Sequence, residues 1–268
     1  MKHAGFNIAL VLIFITVSLG LLSGCGNKVE FEQFGGFSVK YLDNGCKEVT
    51  DGIGRKLLLA PWGYRVRGKY AKAYAKANII RIPVKKVVVY STYNAALIKV
   101  LGHVDSIDGV VTKKEDWYIP EIRKGIDRGR IVYLGQSTSI DYERLKRLKP
   151  DVVFTWDEGI VPKLEELSIP CVVTSTRIAK DLSAHINFIR FISAFYGDEQ
   201  QAKAFAASQF EQIKKISARL RRAGKKPTVI WGDIYARKVQ VEPGNSWAGQ
   251  MVGDAGGDYL FRNLEGST

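Results

Sequence analysis

Side chains able to do chemistry are sparse in this 268-residue chain, which has three cysteines and three histidines. It has no Gly-x-Ser-x-Gly, His-Glu-x-x-His or Gly-x-x-x-x-Gly-Lys run, so the common nucleophile elbow, zinc helix and phosphate loop are excluded. Gly52-Ile53-Gly54 reads as a turn, since no strand–helix context surrounds it. Zinc or manganese sites use several histidines with carboxylates. Here His103 follows a helix-ending Gly102 and His185 lies in a helical pattern, so both read as structural and no metal site is expected. One thiol stands apart. Cys25 closes a run that is uncharged from Ala4 to Leu22, and a thiolate held at a membrane face can accept a diacylglyceryl group.

The segment Leu22-Ser23-Gly24-Cys25, behind Lys2 and the apolar run, resembles the lipobox of bacterial lipoproteins. Residues 1–24 then form a signal peptide and Cys25 is the lipid-attachment residue. The chain is expected outside the cytoplasm, anchored to the bacterial membrane in the periplasm or on the outer surface. Losing the leader takes away one positive charge from a formal +13. Cys46 and Cys171 remain, one beside a turn and one in an apolar strand, and two unpaired thiols are expected. With 46 % apolar and 25 % charged residues the chain can bury a core. Between Gly52 and Val104 the charged residues are all basic, and Tyr64-Arg65-Val66-Arg67-Gly68-Lys69-Tyr70 interleaves them with aromatics. Behind a lipobox that pattern fits an anionic lipid surface or a solvated face, and no nucleic acid is expected.

The elements that must position a site follow from periodicity. Residues 25–80 read as a tether and β-rich preamble, with alternation at Phe37–Tyr41 and a turn at Asp43-Asn44-Gly45. Residues 81–180 alternate short Val/Ile strands with helices, which means a parallel sheet covered on both faces. Strands are expected at Val87–Ser91, Ile107–Val111, Arg130–Leu134, Asp151–Thr155 and Pro170–Thr174. Residues 181–224 read as two linking helices. The second runs to about Arg222, and about 25 residues at 1.5 Å each make a rod of nearly 40 Å. Residues 225–268 hold one secure strand and one helix. The expected fold is α/β: two parallel-sheet lobes joined by a long helix, the second lobe incomplete, behind the preamble.

From about Arg81 onward the chain is similar to the cobalamin/siderophore class (class III) of substrate-binding lipoproteins of ABC importers. The segments "KKVVVYSTYNAALIKVLG", "LGQSTSIDYERLKRLKPDVVFTW", "LEELSIPCVVT", "KKPTVIW" and "PGNSWAGQMVGDAGGDYLF" carry the likeness, in that order. Members of the family continue through further strands after the Ala-Gly-Gly segment, so the chain reads as C-terminally truncated.

In an open parallel sheet the ligand sits beyond the carboxyl ends of the strands. Those ends carry Tyr93, Trp117, Tyr118 and Trp156 in the first lobe. The second offers Tyr235, Arg237 and Trp247. The resemblance places a ligand-facing Trp at Trp156, and implies acidic rim residues that dock on the permease: Glu165 and Glu166 in the first lobe, Glu242 in the second. It implies a monomer that delivers an iron chelate (siderophore-like), or a corrinoid or haem, to an ABC transporter. No cofactor and no catalysis are expected. The alternatives are a binding protein for a compact oxyanion such as molybdate, through Ser91, Thr92 and Ser137–Ser139, or a lipid-anchored extracytoplasmic enzyme.

Overall fold

Alternation of apolar and polar side chains, as at Phe37-Ser38-Val39-Lys40-Tyr41, makes a strand with one dry face. The structure, a computed structural model, describes residues 30–74, 76–176, 180–220 and 226–266, and of Tyr235 the backbone alone. Strand β2 forms at Phe37–Tyr41 with Phe37 and Val39 fully buried. It pairs antiparallel with β1 (Phe31–Phe34) and β3 (Lys47–Thr50), and β3 pairs with β4 (Lys56–Pro61). The β2–β3 turn uses the left-handed region at Asn44 (φ 59°) and Gly45 (φ 71°), where these residue types fit best. β5 (Ile79–Ile82) joins β4 in parallel, which requires a crossover, and residues 62–78 with the short helix α1 (Gly68–Ala73) supply it. The order of this sheet is β1-β2-β3-β4-β5.

The second sheet is wholly parallel. Its strands are β6 (Val87–Val89), β7 (Ile107–Val110), β8 (Val132–Tyr133), β9 (Val152–Thr155) and β10 (Cys171–Val173), in the order β10-β9-β6-β7-β8. Near-continuous Val and Ile suit these strands because both faces are dry. On one face Val87, Val89, Val152, Phe154 and Val172 share a core with the first sheet and with Phe188, Phe191 and Phe195. Helices α2 (Thr92–Val100) and α3 (Pro120–Asp127) add Ile98 and Ile122 to that core. On the other face Val88, Val153 and Val173 meet Leu145 of α4 (Tyr142–Leu148) and Leu164 of α5 (Val161–Glu166).

Local chemistry sets the helix ends. Ser91 Oγ caps α2 by accepting from Asn94 N at 3.1 Å, and Gly102 (φ 83°) ends it. Asp141 Oδ1 caps α4 at 2.9 Å, and the turn before Pro150 stops it. Helix α6 (Leu182–Ser193) is capped by Asp181 Oδ1, which accepts from Ala184 N at 2.7 Å. Past Gly197 (φ 87°), α7 (Glu199–Leu220) runs for 22 residues, about 33 Å.

Beyond it, β11 (Thr228–Val229) pairs in parallel with β14 (Asp258–Tyr259), and β12 (Gly232–Tyr235) forms a hairpin with β13 (Lys238–Val241). Helix α8 (Trp247–Asp254) packs on α6 and α7, where Ser217 Oγ donates to Asp254 O at 2.9 Å. None of the described helices is long and apolar enough to cross a membrane. The apolar leader and Cys25 lie outside the described residues.

One buried carboxylate ties the first sheet to the second. Asp51, in the β3–β4 turn, is fully buried. Its Oδ2 accepts from Arg55 Nη2 at 2.8 Å, Arg55 Nε at 3.0 Å and Val173 N at 3.1 Å. Its Oδ1 accepts from Arg55 N at 2.9 Å and Ile53 N at 3.2 Å. Gly52 N donates to Val173 O at 2.7 Å, an approach so close that a Cβ on Gly52 would lie 2.8 Å from that oxygen. The turn therefore covers the edge of β10. Arg55 also donates to Cys171 O at 3.0 Å and to Glu165 Oε1 at 3.1 Å. Lys47 donates to Ala194 O at 2.8 Å and pairs with Glu199, fixing the same sheet to α6 and α7. Cys46 and Cys171 are buried and free, and burial pushes both thiols above their usual pKa against the pull of Arg81 and Arg55 respectively.

Removing one partner of a buried pair leaves an uncompensated charge. Asp51→Ala is therefore expected to cost about 3–5 kcal/mol, read as a lowered urea midpoint. An unchanged midpoint would show that the turn is not what holds the two sheets together.

Candidate functional site

The carboxyl ends of β6, β9 and β10 converge on a polar floor. Asn94 Nδ2 donates to Thr174 Oγ1 at 2.6 Å, and Thr174 Oγ1 donates to Thr155 O at 3.1 Å. Thr155 Oγ1 in turn accepts from Asp157 N at 2.9 Å. Asn94, Thr155 and Thr174 are all buried. Asn94 Oδ1 and the Tyr90 hydroxyl are also buried and make no hydrogen bond among the described residues, so both retain capacity to bond water or ligand. Burial, with Tyr142 and Asp157 adding to it, pushes the Tyr90 phenol well above its usual range and keeps it neutral.

Beside this floor stands a column of rings. Tyr93, in the first turn of α2, stacks on His185 of α6 at 4.9 Å and 24°. His185 stacks on Trp247, the first residue of α8, at 4.9 Å and 12°. Trp231 meets Trp247 edge-on at 6.2 Å. Main-chain bonds lock the column. Tyr93 OH donates to His185 O at 3.1 Å, and Trp247 N donates to Lys180 O at 2.8 Å. Ser246 Oγ caps α8 by accepting from Gly249 N at 3.2 Å, which sets Trp247 at the helix start. His185 and Trp247 also wall a cavity of about 330 Å³ between α6, α7 and α8, with apolar Ile186, Ile213 and Met251 and polar Gln209 and Asp254. Burial lowers the His185 pKa, so the ring is neutral at pH 7, and its Nδ1 is buried without a hydrogen-bond partner among the described residues.

The expected site residues divide. Tyr93 and Trp247 are brought together, with His185 between them. Trp156 follows β9 and is 46 % exposed, with no ring partner or side-chain hydrogen bond among the described residues. Tyr118 is 95 % exposed. Trp117 corrects the expectation: it is 1 % exposed, in the core, and its Nε1 donates to Thr112 O at 3.0 Å. Its loop folds back onto the sheet and turns the indole inward, so Trp117 does not face a cleft. Arg237 is also displaced. With Ala236 it forms the left-handed tip of the β12–β13 hairpin (φ 62°) and is exposed there. Tyr235 ends β12.

Among the expected docking acids, Glu165 is engaged by Arg55, and Glu166 pairs with Lys163 at 3.0 Å on the exposed side of α5. Glu242 turns Oε2 inward, where that oxygen is buried without a hydrogen bond among the described residues. That oxygen is not presented to a partner, which sets Glu242 apart from the other two acids. Sequence reasoning missed His185, Trp231, Asn94 and Thr174. Only Asn94 carried a signal, as a polar residue on the apolar side of α2.

The described residues thus set a buried polar floor at the strand ends of a parallel sheet and an aromatic column beside it. The chain belongs to the periplasmic binding protein family, whose model matches residues 87–267. It is 26 % identical over 233 residues to an uncharacterized lipoprotein of Methanocaldococcus jannaschii, covering 82 % of this chain and 56 % of that protein. The chain thus spans little more than half the length of the curated relatives it matches. Among solved structures, it shares its fold with a possible iron-binding (periplasmic solute-binding) protein from Staphylococcus epidermidis. The TM-score is 0.57 at 17 % identity, over 69 % of this chain and 70 % of that one. It also shares it with S. aureus IsdE complexed with heme, with a TM-score of 0.53 at 18 % identity, over 68 % of this chain and 67 % of that one.

The His185 shift fixes a pH dependence. A histidine whose folded pKa lies below its ordinary value of about 6.5 binds fewer protons folded than unfolded. Its contribution to stability is complete above that pH and declines as pH falls from there towards the folded pKa. His185→Phe keeps a flat ring in the column and should remove that part of the acid loss. The same acid slope in both proteins, followed by urea unfolding between pH 7.5 and 5, would assign the loss elsewhere.

Proposed function

We propose that the complete protein is an extracytoplasmic binding protein, held to the membrane through a lipid on Cys25, that delivers an iron chelate of siderophore type to an ABC importer. A corrinoid or haem is the next ligand class. The observation that carries this reading is the combination of exposed Trp156 with the Tyr93–His185–Trp247 column at the strand ends of a periplasmic-binding fold. Aromatic rings bury large ligand area at low entropic cost, which suits a bulky chelate better than a small ion. The names of the similar structures, one possibly iron-binding and one complexed with heme, support the same class. The lipid anchor draws support from the lipoprotein name of the archaeal relative.

An oxyanion is less favoured because aromatic rings, rather than a cluster of hydroxyl donors, form the column at the strand ends. We assign the first transporter contact to Glu166 ahead of Glu165, since only Glu165 is engaged by a guanidinium that also binds buried Asp51.

Absorbance and mass spectra of material co-purified with the full-length protein test the ligand class, and a metal chelate or tetrapyrrole is expected. Trp156→Ala should weaken binding of that compound by about 1–3 kcal/mol, the usual range for an aromatic anchor, with a smaller effect on stability because the ring is half-exposed and has no ring partner among the described residues. Unchanged affinity would remove Trp156 from the site. Glu166→Lys should abolish uptake while affinity holds, since it breaks only an exposed pair worth at most about 1 kcal/mol. Normal uptake by that variant would move the docking surface elsewhere.

A further inference from the structure

The crossover between β4 and β5, residues 62–78, lies outside the segment that the family model matches. Its side chains sort by type. Tyr64, Val66, Tyr70 and Tyr74 turn inward onto a small core with Cys46, Leu58 and Ala60. Arg81 Nη1 donates to Tyr64 O at 2.8 Å and holds the loop down. Arg65, Arg67, Lys69, Lys72 and Lys76 turn outward and are exposed, and none forms an ion pair among the described residues. Trp62, at the start of the crossover, has its ring 52 % exposed while its Nε1 donates to Pro83 O at 2.9 Å.

Some cations elsewhere are held by acids. Lys47, Arg55, Lys99 and Arg190 each meet a carboxylate. A face that only has to be solvated mixes both signs, whereas a patch of one sign repels itself and attracts its opposite. Here the inward aromatics fix the loop, so the five charges are presented as a surface.

We propose that this crossover is a contact surface for anionic phospholipid headgroups and seats the folded unit on the bilayer. The inference rests on the lipid-anchor reading of Cys25. Five residues lie between Cys25 and Phe31, so the six steps reach roughly 20 Å when fully extended. Clusters of Lys and Arg bind anionic leaflets when held close to them, because the attraction fades within a Debye length. A half-exposed indole beside the charges suits the headgroup layer. An acidic protein surface would be met by the same charges, and the experiment below separates the two.

The test uses the full-length chain in phosphatidylcholine vesicles that contain brominated phosphatidylglycerol, with Trp62 quenching taken as the difference between wild type and Trp62→Phe. Quenching is expected at low salt and should vanish at high salt. It should also vanish when the brominated lipid is phosphatidylcholine and no anionic lipid is present. Each basic residue at such a surface contributes about fivefold to binding, so Arg65→Gln/Arg67→Gln/Lys69→Gln should weaken the interaction by about a hundredfold. Equal quenching in both vesicle types overturns the proposal. So does its absence, which is the outcome if the patch meets an acidic protein. Acyl mass on Cys25 is read on the same material. Anionic-specific quenching without acyl mass supports the surface while removing the anchor, and acyl mass without quenching removes the surface alone.

Discussion

A carboxylate with no access to water is tolerable only when every oxygen is engaged, and Asp51 meets that condition with five donors. Three come from Arg55, one from Ile53 and one from Val173. The β3–β4 turn, the edge strand β10 and the guanidinium are thereby one unit. An open parallel sheet exposes unpaired backbone at its edges, and here the turn covers one of them. The shared core of the two sheets, from Phe37 through Phe154 to Phe188, depends on that alignment.

Three positions far apart along the chain meet in the ring column. Tyr93 belongs to the first helix after β6, His185 to the helical link and Trp247 to the last helix. The flat contacts at 4.9 Å on both sides of His185 join elements that no strand pairing connects. Neutral imidazole suits this position, since a buried charge without a partner is costly. The stack is thus both a packing device and part of the proposed ligand wall.

Much of the fold was legible because its signals are local. Runs such as Val87-Val88-Val89 announce a strand dry on both faces. Ser91, Asp141, Asp181 and Ser246 stand at helix starts, where short polar side chains satisfy free backbone N–H groups. Parallel pairing of β5 with β4 was not legible, because nothing in Ile79–Ile82 states which strand it will join. The site was less legible still. Position after a strand says that Trp117 and Tyr118 lie near the ligand face, but not which one turns inward, and one is buried while the other is almost wholly exposed. Tyr93, His185 and Trp247 are far apart in sequence, and ring stacking across such distances leaves no local trace.

The two free thiols have a consequence for chemical lifetime. Exchange with a disulfide, or attack by an oxidant, proceeds through the thiolate. Burial raises the pKa of both Cys46 and Cys171, so at neutral pH the reactive form is scarce as well as shielded. Cys171 has a guanidinium at its sulfur that pulls the other way and is outweighed by desolvation. A chain with such cysteines can reside for long periods in an oxidising compartment, crowded on a surface beside copies of itself, without becoming covalently cross-linked to them.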